Sequence, residues 1–170
     1  MDNKLIDIVK AEFQLRVIEE SLARIEKCLD LLTQEQIWHK KNENTNAIGN
    51  LILHLAGNIR QYIIAGVGEE KDLRERDKEF VSGYSHTAEE LLAHITPILY
   101  DANEVVRQLS SSAFPEEVNI QGFPHTRLSA ILHVIEHLSY HVGQITYYTK
   151  YINNVDTGYY EGLDLDKVGD

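Results

Sequence analysis

Sulfur and positive charge are scarce in this chain. A single cysteine, Cys28, is present, which excludes an intrachain disulfide framework and a cysteine-built zinc site. A chain so poor in cysteine fits a reducing compartment, and a cytoplasmic location is the expectation. No apolar run reaches about 18 residues, so no membrane-spanning helix is expected. Met1-Asp2-Asn3-Lys4 lacks the basic start and apolar stretch of a signal peptide. The 16 Lys and Arg are outnumbered by 27 Asp and Glu, a net charge of −11. That balance excludes a general nucleic-acid binder, which needs a basic surface to meet phosphates.

What is present is enough for a packed core. The chain has 170 residues, of which 43% are hydrophobic, the size and composition of one globular domain. Ile8, Ala11, Leu15, Ile18, Leu22, Ile25, Leu29 and Leu32 alternate spacings of three and four, predicting a helix over 3–32 with a bundle-type seam. Thr33 and Gln36 form a capping box for a short turn carrying Trp38. Asn46 is the expected cap of a second helix over 47–66, with Ile48, Leu51, Ile52, Leu55, Ile59 and Ile63 as its apolar face. A charged loop, 69–78, follows.

Thr87 and Glu90 cap a third helix over 88–110. Pro97 lies inside it and is expected to kink it. Val118 and Ile120 alternate with polar neighbours, which suggests a short extended stretch or hairpin. Thr126 caps a fourth helix over 127–152. The remainder, 153–170, carries five acids and one base and reads as an acidic tail that Tyr159 and Tyr160 could dock. The organisation is therefore an all-α four-helix bundle over 1–152 with a tail over 153–170. The connection between helices two and three is long enough for a crossover.

The fourth helix carries the chemistry. Leu128, Ile131, Val134, Ile135, Leu138, Val142 and Ile145 make an ordinary core face. Roughly opposite lie Ala130, His133, His137, Tyr140, His141, Gln144 and Tyr148, with no Lys, Arg, Asp or Glu among them. A solvated face would carry charge, so this sector is expected to pack against another helix, a cavity or a second subunit. His133, His137 and His141 stand at i, i+4 and i+8. Neighbours in that series lie one above the other and can share a metal. The outer two are about 12 Å apart along the axis, too far for one ion with bonds of about 2.1 Å. Spacing leaves the pairs 133/137 and 137/141 both open, with His54 of the second helix as the external candidate. His39, His86, His94 and His125 sit in polar or loop contexts and read as surface residues. Leu138 stands where a zinc protease helix would place its Glu general base, which argues against that class.

The run His133-Val134-Ile135-Glu136-His137-Leu138-Ser139-Tyr140-His141-Val142-Gly143-Gln144-Ile145 resembles the last helix of the DinB/YfiT-like superfamily. Asn50-Leu51-Ile52-Leu53-His54-Leu55-Ala56-Gly57-Asn58 resembles its second. The resemblance implies a four-helix bundle of unusual left-handed topology and a metal site of His54, His137 and His141. It also implies homodimers and metal-dependent chemistry on small molecules, in some relatives transfer to or from low-molecular-weight thiols. His133 receives no ligand role from it, and the Arg usual before Gly-Gln is Val142 here. Three neutral imidazoles suit zinc or nickel and leave coordination positions open, the arrangement of a thiol-dependent S-transferase or a hydrolase. Asn58, Gln61, His133, Gln144 and Tyr148 are the candidates for supporting the ligands or facing substrate. The alternative is a non-catalytic dimeric bundle that binds a small ligand or is linked to stress, with a vestigial site.

Overall fold

The computed structural model describes residues 3–81 and 86–169. The first helical rod is built from α1 (Asn3–Gln14), a π-helical stretch (Leu15–Leu22) and α2 (Ala23–Leu31). The short α3 (Gln34–Trp38) follows. The second rod is α4 (Ile48–Ile59) continued by a π-helical stretch (Arg60–Val67). A long connection containing a 3₁₀ turn (Arg76–Phe80) leads to α5 (Ala88–Gln108), then to β1 (Glu117–Ile120), β2 (Phe123–Thr126) and α6 (Arg127–Asn153). The first rod packs on α5 and α6, and the second rod packs on the same two helices. The two rods are therefore diagonal to one another across the bundle. Among the described residues, no helix is long and apolar enough to cross a membrane.

The π-helical stretch corrects the expected seam of the first helix. Leu22, Ile25, Leu29 and Leu32 are buried as expected, but Ala11 is exposed and Ile8 is 51% exposed. The core positions of the first half are Ile6, Phe13 and Val17. Val17 and Leu22 both reach the core although they are five residues apart. A π turn adds one residue to the helical repeat, so the buried stripe steps sideways there and a single 3.5-residue period cannot follow it.

The caps explain where most helices start. Thr33 with Gln36, Thr87 with Glu90 and Thr126 with Ser129 each close a reciprocal box. The cap of α4 is Ala47 rather than the expected Asn46. Its backbone N–H donates to the Asn50 side chain, which satisfies one orphan amide of the first turn. Pro97 is accommodated inside a continuous α5. The hairpin forms where Val118 and Ile120 alternate, with Ile120 opposite Phe123. Gln121 and Gly122 turn it at φ 56° and 81°, the two left-handed positions of a tight hairpin turn. In the tail, the Tyr159 hydroxyl lies 3.1 Å from Cys28 Sγ and 2.9 Å from Thr146 Oγ1, while Tyr160 faces outward.

The register change is directly testable. Phe13→Ala should cost about 3–5 kcal/mol in denaturant unfolding, because Phe13 is fully buried. Ile8→Ala should cost under ~0.5 kcal/mol. Equal costs would refute the sideways step of the core.

Candidate metal centre

Two helices deliver the three histidines. His54 lies one and a half turns into α4, and His137 and His141 sit one turn apart on α6, which packs against it. His54 Nε2 is 3.3 Å from His137 Nε2. The His141 ring centre is 5.2 Å from that of His54 and 4.5 Å from that of His137. One ligand atom from each of the three lies within 4.8 Å of the others. Tetrahedral bonds of about 2.1 Å place neighbouring donors roughly 3.4 Å apart, so the donor set fits a divalent ion with small ring adjustments. Among the described residues, this is the one group that could hold a metal.

The other ring nitrogens decide which atoms face the centre. His54 Nδ1 is 2.9 Å from Glu79 Oε2. A carboxylate only accepts, whereas Arg74 Nη2, 3.1 Å from the same nitrogen, only donates and already has Glu79 Oε2 at 2.8 Å. The shorter Glu79 contact places the imidazole proton on Nδ1 and turns the Nε2 lone pair toward His137. His141 Nδ1 is likewise 2.8 Å from Gln144 Oε1. His137 has no such support: its Nδ1 is buried without a hydrogen-bond partner. Burial and the neighbouring His141, His54 and His133 push His137 down to about 3, so it is neutral at physiological pH. Burial also lowers His141.

Glu79 and Arg74 are the residues that sequence reasoning missed. Both lie on the long connection, Arg74 within the stretch 69–78 that read as a charged loop and Glu79 just after it. Arg74 donates from Nε to Glu79 Oε1 at 2.7 Å and from Nη2 to Oε2 at 2.8 Å. Burial would raise the Glu79 carboxyl, but the hydrogen bonds from Arg74 and His54 outweigh it and hold the group below its ordinary range. Asn50 Nδ2 donates to the Glu79 carbonyl at 2.9 Å, which pins the connection to α4. The carboxylate fits because residue 57 is glycine. A Cβ there would collide with Glu79 and come within 3.1 Å of Arg74 Nε. A glycine inside a helix, three residues after a candidate ligand, was the signal available in the sequence.

The supporting candidates divide. Gln144 holds His141. Gln61 is buried and ties the connection to the hairpin. It accepts from Arg74 Nη1 at 2.9 Å and from Gln121 Nε2 at 2.6 Å, and it donates to Asp72 Oδ2 at 2.6 Å. His133 stacks on Tyr62, with ring centres 4.3 Å apart, and on His137 at 5.5 Å. Its Nε2 is buried without a partner. Asn58 is buried, and its Oδ1 likewise has no partner. Tyr148 and Gln144 line a cleft of about 320 Å³ with His39, Lys41, Asn46 and Leu51. The charge-free sector of α6 is only partly covered, since Tyr140 and Gln144 are exposed. His125, read as a surface residue, is half-buried and lies edge-on to Tyr62 at 5.6 Å.

A family model described as "Protein of unknown function (DUF1572)" matches residues 7–161. The chain belongs to this family. A DinB-like protein from Bacillus cereus shares the fold with a TM-score of 0.59 and 18% identity, over 77% of this chain and 85% of that one. A conserved protein from Enterococcus faecalis reaches a TM-score of 0.65 at 16% identity, over 84% and 97%. The DUF1572 chain thus has the helical-bundle fold of these two structures, the first of them DinB-like, and at these identities the likeness is one of fold alone. No curated protein matches it.

The depressed histidines give this DUF1572 protein a signed pH dependence. An unfolded His137 takes up a proton near its ordinary 6.5, while the native one resists to about 3. Unfolding free energy in chelator should be fully present above pH ~7.5 and fall as pH drops through 6.5 toward 3. His133 and His141 act in the same direction. His137→Asn should flatten that fall in urea titrations at pH 7.5, 6 and 4.5. An unchanged slope would refute the burial of a neutral His137.

Proposed function

We propose that this protein is a metal-dependent enzyme acting on a small molecule, with His54, His137 and His141 holding one divalent ion, zinc or nickel. The observation that carries the reading is the convergence of three imidazole donors from two helices, one of them fixed in its metal-ready tautomer by an ionised carboxylate. A carboxylate–histidine pair of this kind orients a ligand and raises its basicity. Bound there, an ion with three neutral ligands supplies Lewis acidity that brings a coordinated thiol or water toward ionisation near neutral pH.

The chain's own residues then select and orient. Gln144 joins the ring of His141 to the adjoining cleft, so a molecule lying there meets the site along its Gln144 side. Lys41, His39 and several amides line the cleft, with Ile48, Leu51 and Tyr148 as its apolar part. The lining includes no carboxylate, and Glu79 is committed to Arg74 and His54. Among the described residues of the lining, His39 is the one imidazole that could take a proton from water. The reading takes a low-molecular-weight thiol as the nucleophile, since a coordinating thiol loses its proton outright, with hydrolysis by a coordinated water as the alternative. The same reading takes the chain to act as a homodimer in the cytoplasm.

Metal analysis after purification without a nickel column should find one ion per chain, lost in His137→Ala and in His141→Ala. Gln144→Ala should weaken metal binding about tenfold while the fold is kept. A fully folded, metal-free protein that takes up no zinc or nickel would overturn the reading. Thiol-dependent consumption of an epoxide or haloaromatic supports transfer, and turnover with water alone would replace it by hydrolysis.

A further inference from the structure

The outward side of α6 is almost bare of charge. Over residues 132–151 the only charged side chains are Glu136 and Lys150, and both are exposed. Between and beside them lie Tyr140, Tyr147 and Tyr151, which are 62%, 73% and 70% exposed. Tyr147 and Tyr151 stack on each other, with ring centres 6.4 Å apart. An outer bundle helix facing only water would carry charge at these positions. Tyrosine is enriched in protein interfaces, where it supplies large contact area.

The arrangement has a centre. Glu136 and Lys150 each stand seven residues from Gly143, and at about 100° per residue all three fall within roughly 20° of one line along the helix. Gly143 is exposed, and a Cβ there would meet nothing within 4 Å. Its missing side chain therefore serves no packing need within the subunit.

We propose that a second copy of this chain packs its α6 antiparallel across this face, with the two-fold axis passing at Gly143. In such a pair a residue n places before Gly143 faces the residue n places after it. Glu136 then meets Lys150 of the partner subunit, and Lys150 meets Glu136 of the partner subunit, each about 10.5 Å from the crossing point. Tyr147 falls opposite Ser139 of the partner subunit, and the two glycines let the backbones approach. A parallel pairing would set Glu136 against Glu136 and Lys150 against Lys150, so charge selects the antiparallel sense. The proposal locates the homodimer assumed under the proposed function and rests on that part of the reading, but not on the metal.

Light scattering and sedimentation of the full chain at micromolar concentration test it. The wild type should have the mass of two chains. Glu136→Lys alone and Lys150→Glu alone should each weaken dimerisation by about tenfold or more, since each turns two attractive pairs into two repulsive ones. The double variant Glu136→Lys/Lys150→Glu should restore the wild-type dissociation constant. Unchanged melting temperatures would show that the variants fold, because both side chains are exposed. A wild type that stays monomeric at ~100 μM overturns the dimer and the interface together. A dimer that ignores the single reversals, or is not restored by the double one, overturns the α6 interface alone.

Discussion

A buried carboxylate is expensive unless it is paired and hydrogen-bonded, and Glu79 is where this structure meets that cost. Its two oxygens take two donors from Arg74 and one from His54, and its own carbonyl is held by Asn50. The group can lie so close to α4 only because residue 57 has no side chain. One interaction thereby fixes three things at once: the path of the long connection, the tautomer of His54, and the identity of a residue in the middle of a helix. Removing either charged partner would strand the other, so the pair is kept or lost as a unit.

The three histidines are consequently not equivalent. Away from the shared centre, His54 leans on an ionised carboxylate, His141 on a neutral amide, and His137 Nδ1 on no hydrogen-bond partner, its ring lying among other rings. A partner's charge sets how basic the opposite nitrogen is. His54 is the ring whose orientation a charged partner fixes, and His137 is the one whose ring position depends on stacking. His133, itself stacked on Tyr62, supplies that stacking. This gives His133 a structural task beside the site even though it stands apart from the three-histidine cluster.

Much of this was legible in the residues themselves. The capping boxes at Thr33, Thr87 and Thr126 are local hydrogen-bond patterns, complete within four residues, and they mark helix starts without any tertiary information. The hairpin announced itself through alternation around Val118 and Ile120. The pairing of His137 with His141 needed the family resemblance, because helical spacing treats 133/137 and 137/141 alike. Two things could not be seen. The π-helical stretch over Leu15–Leu22 shifts the core stripe by an amount that periodicity alone averages away. The Arg74–Glu79 pair spans a connection whose composition is that of any solvated loop, and only the fold reveals that it turns inward.

The hairpin has no linker to α6: β2 ends at Thr126, and the helix begins at Arg127. Strand and helix therefore move as one lever, with the Thr126 cap as its fulcrum. The lever's tip, Gln121, is fastened to Gln61, which is fastened to Arg74, then to Glu79 and His54, which faces His137 on the lever's own long arm. The contacts thus close into a loop, as the bars of a truss do. A load applied at any one joint is shared around the frame, so the distance between the two helices at the histidines is set by the perimeter as a whole.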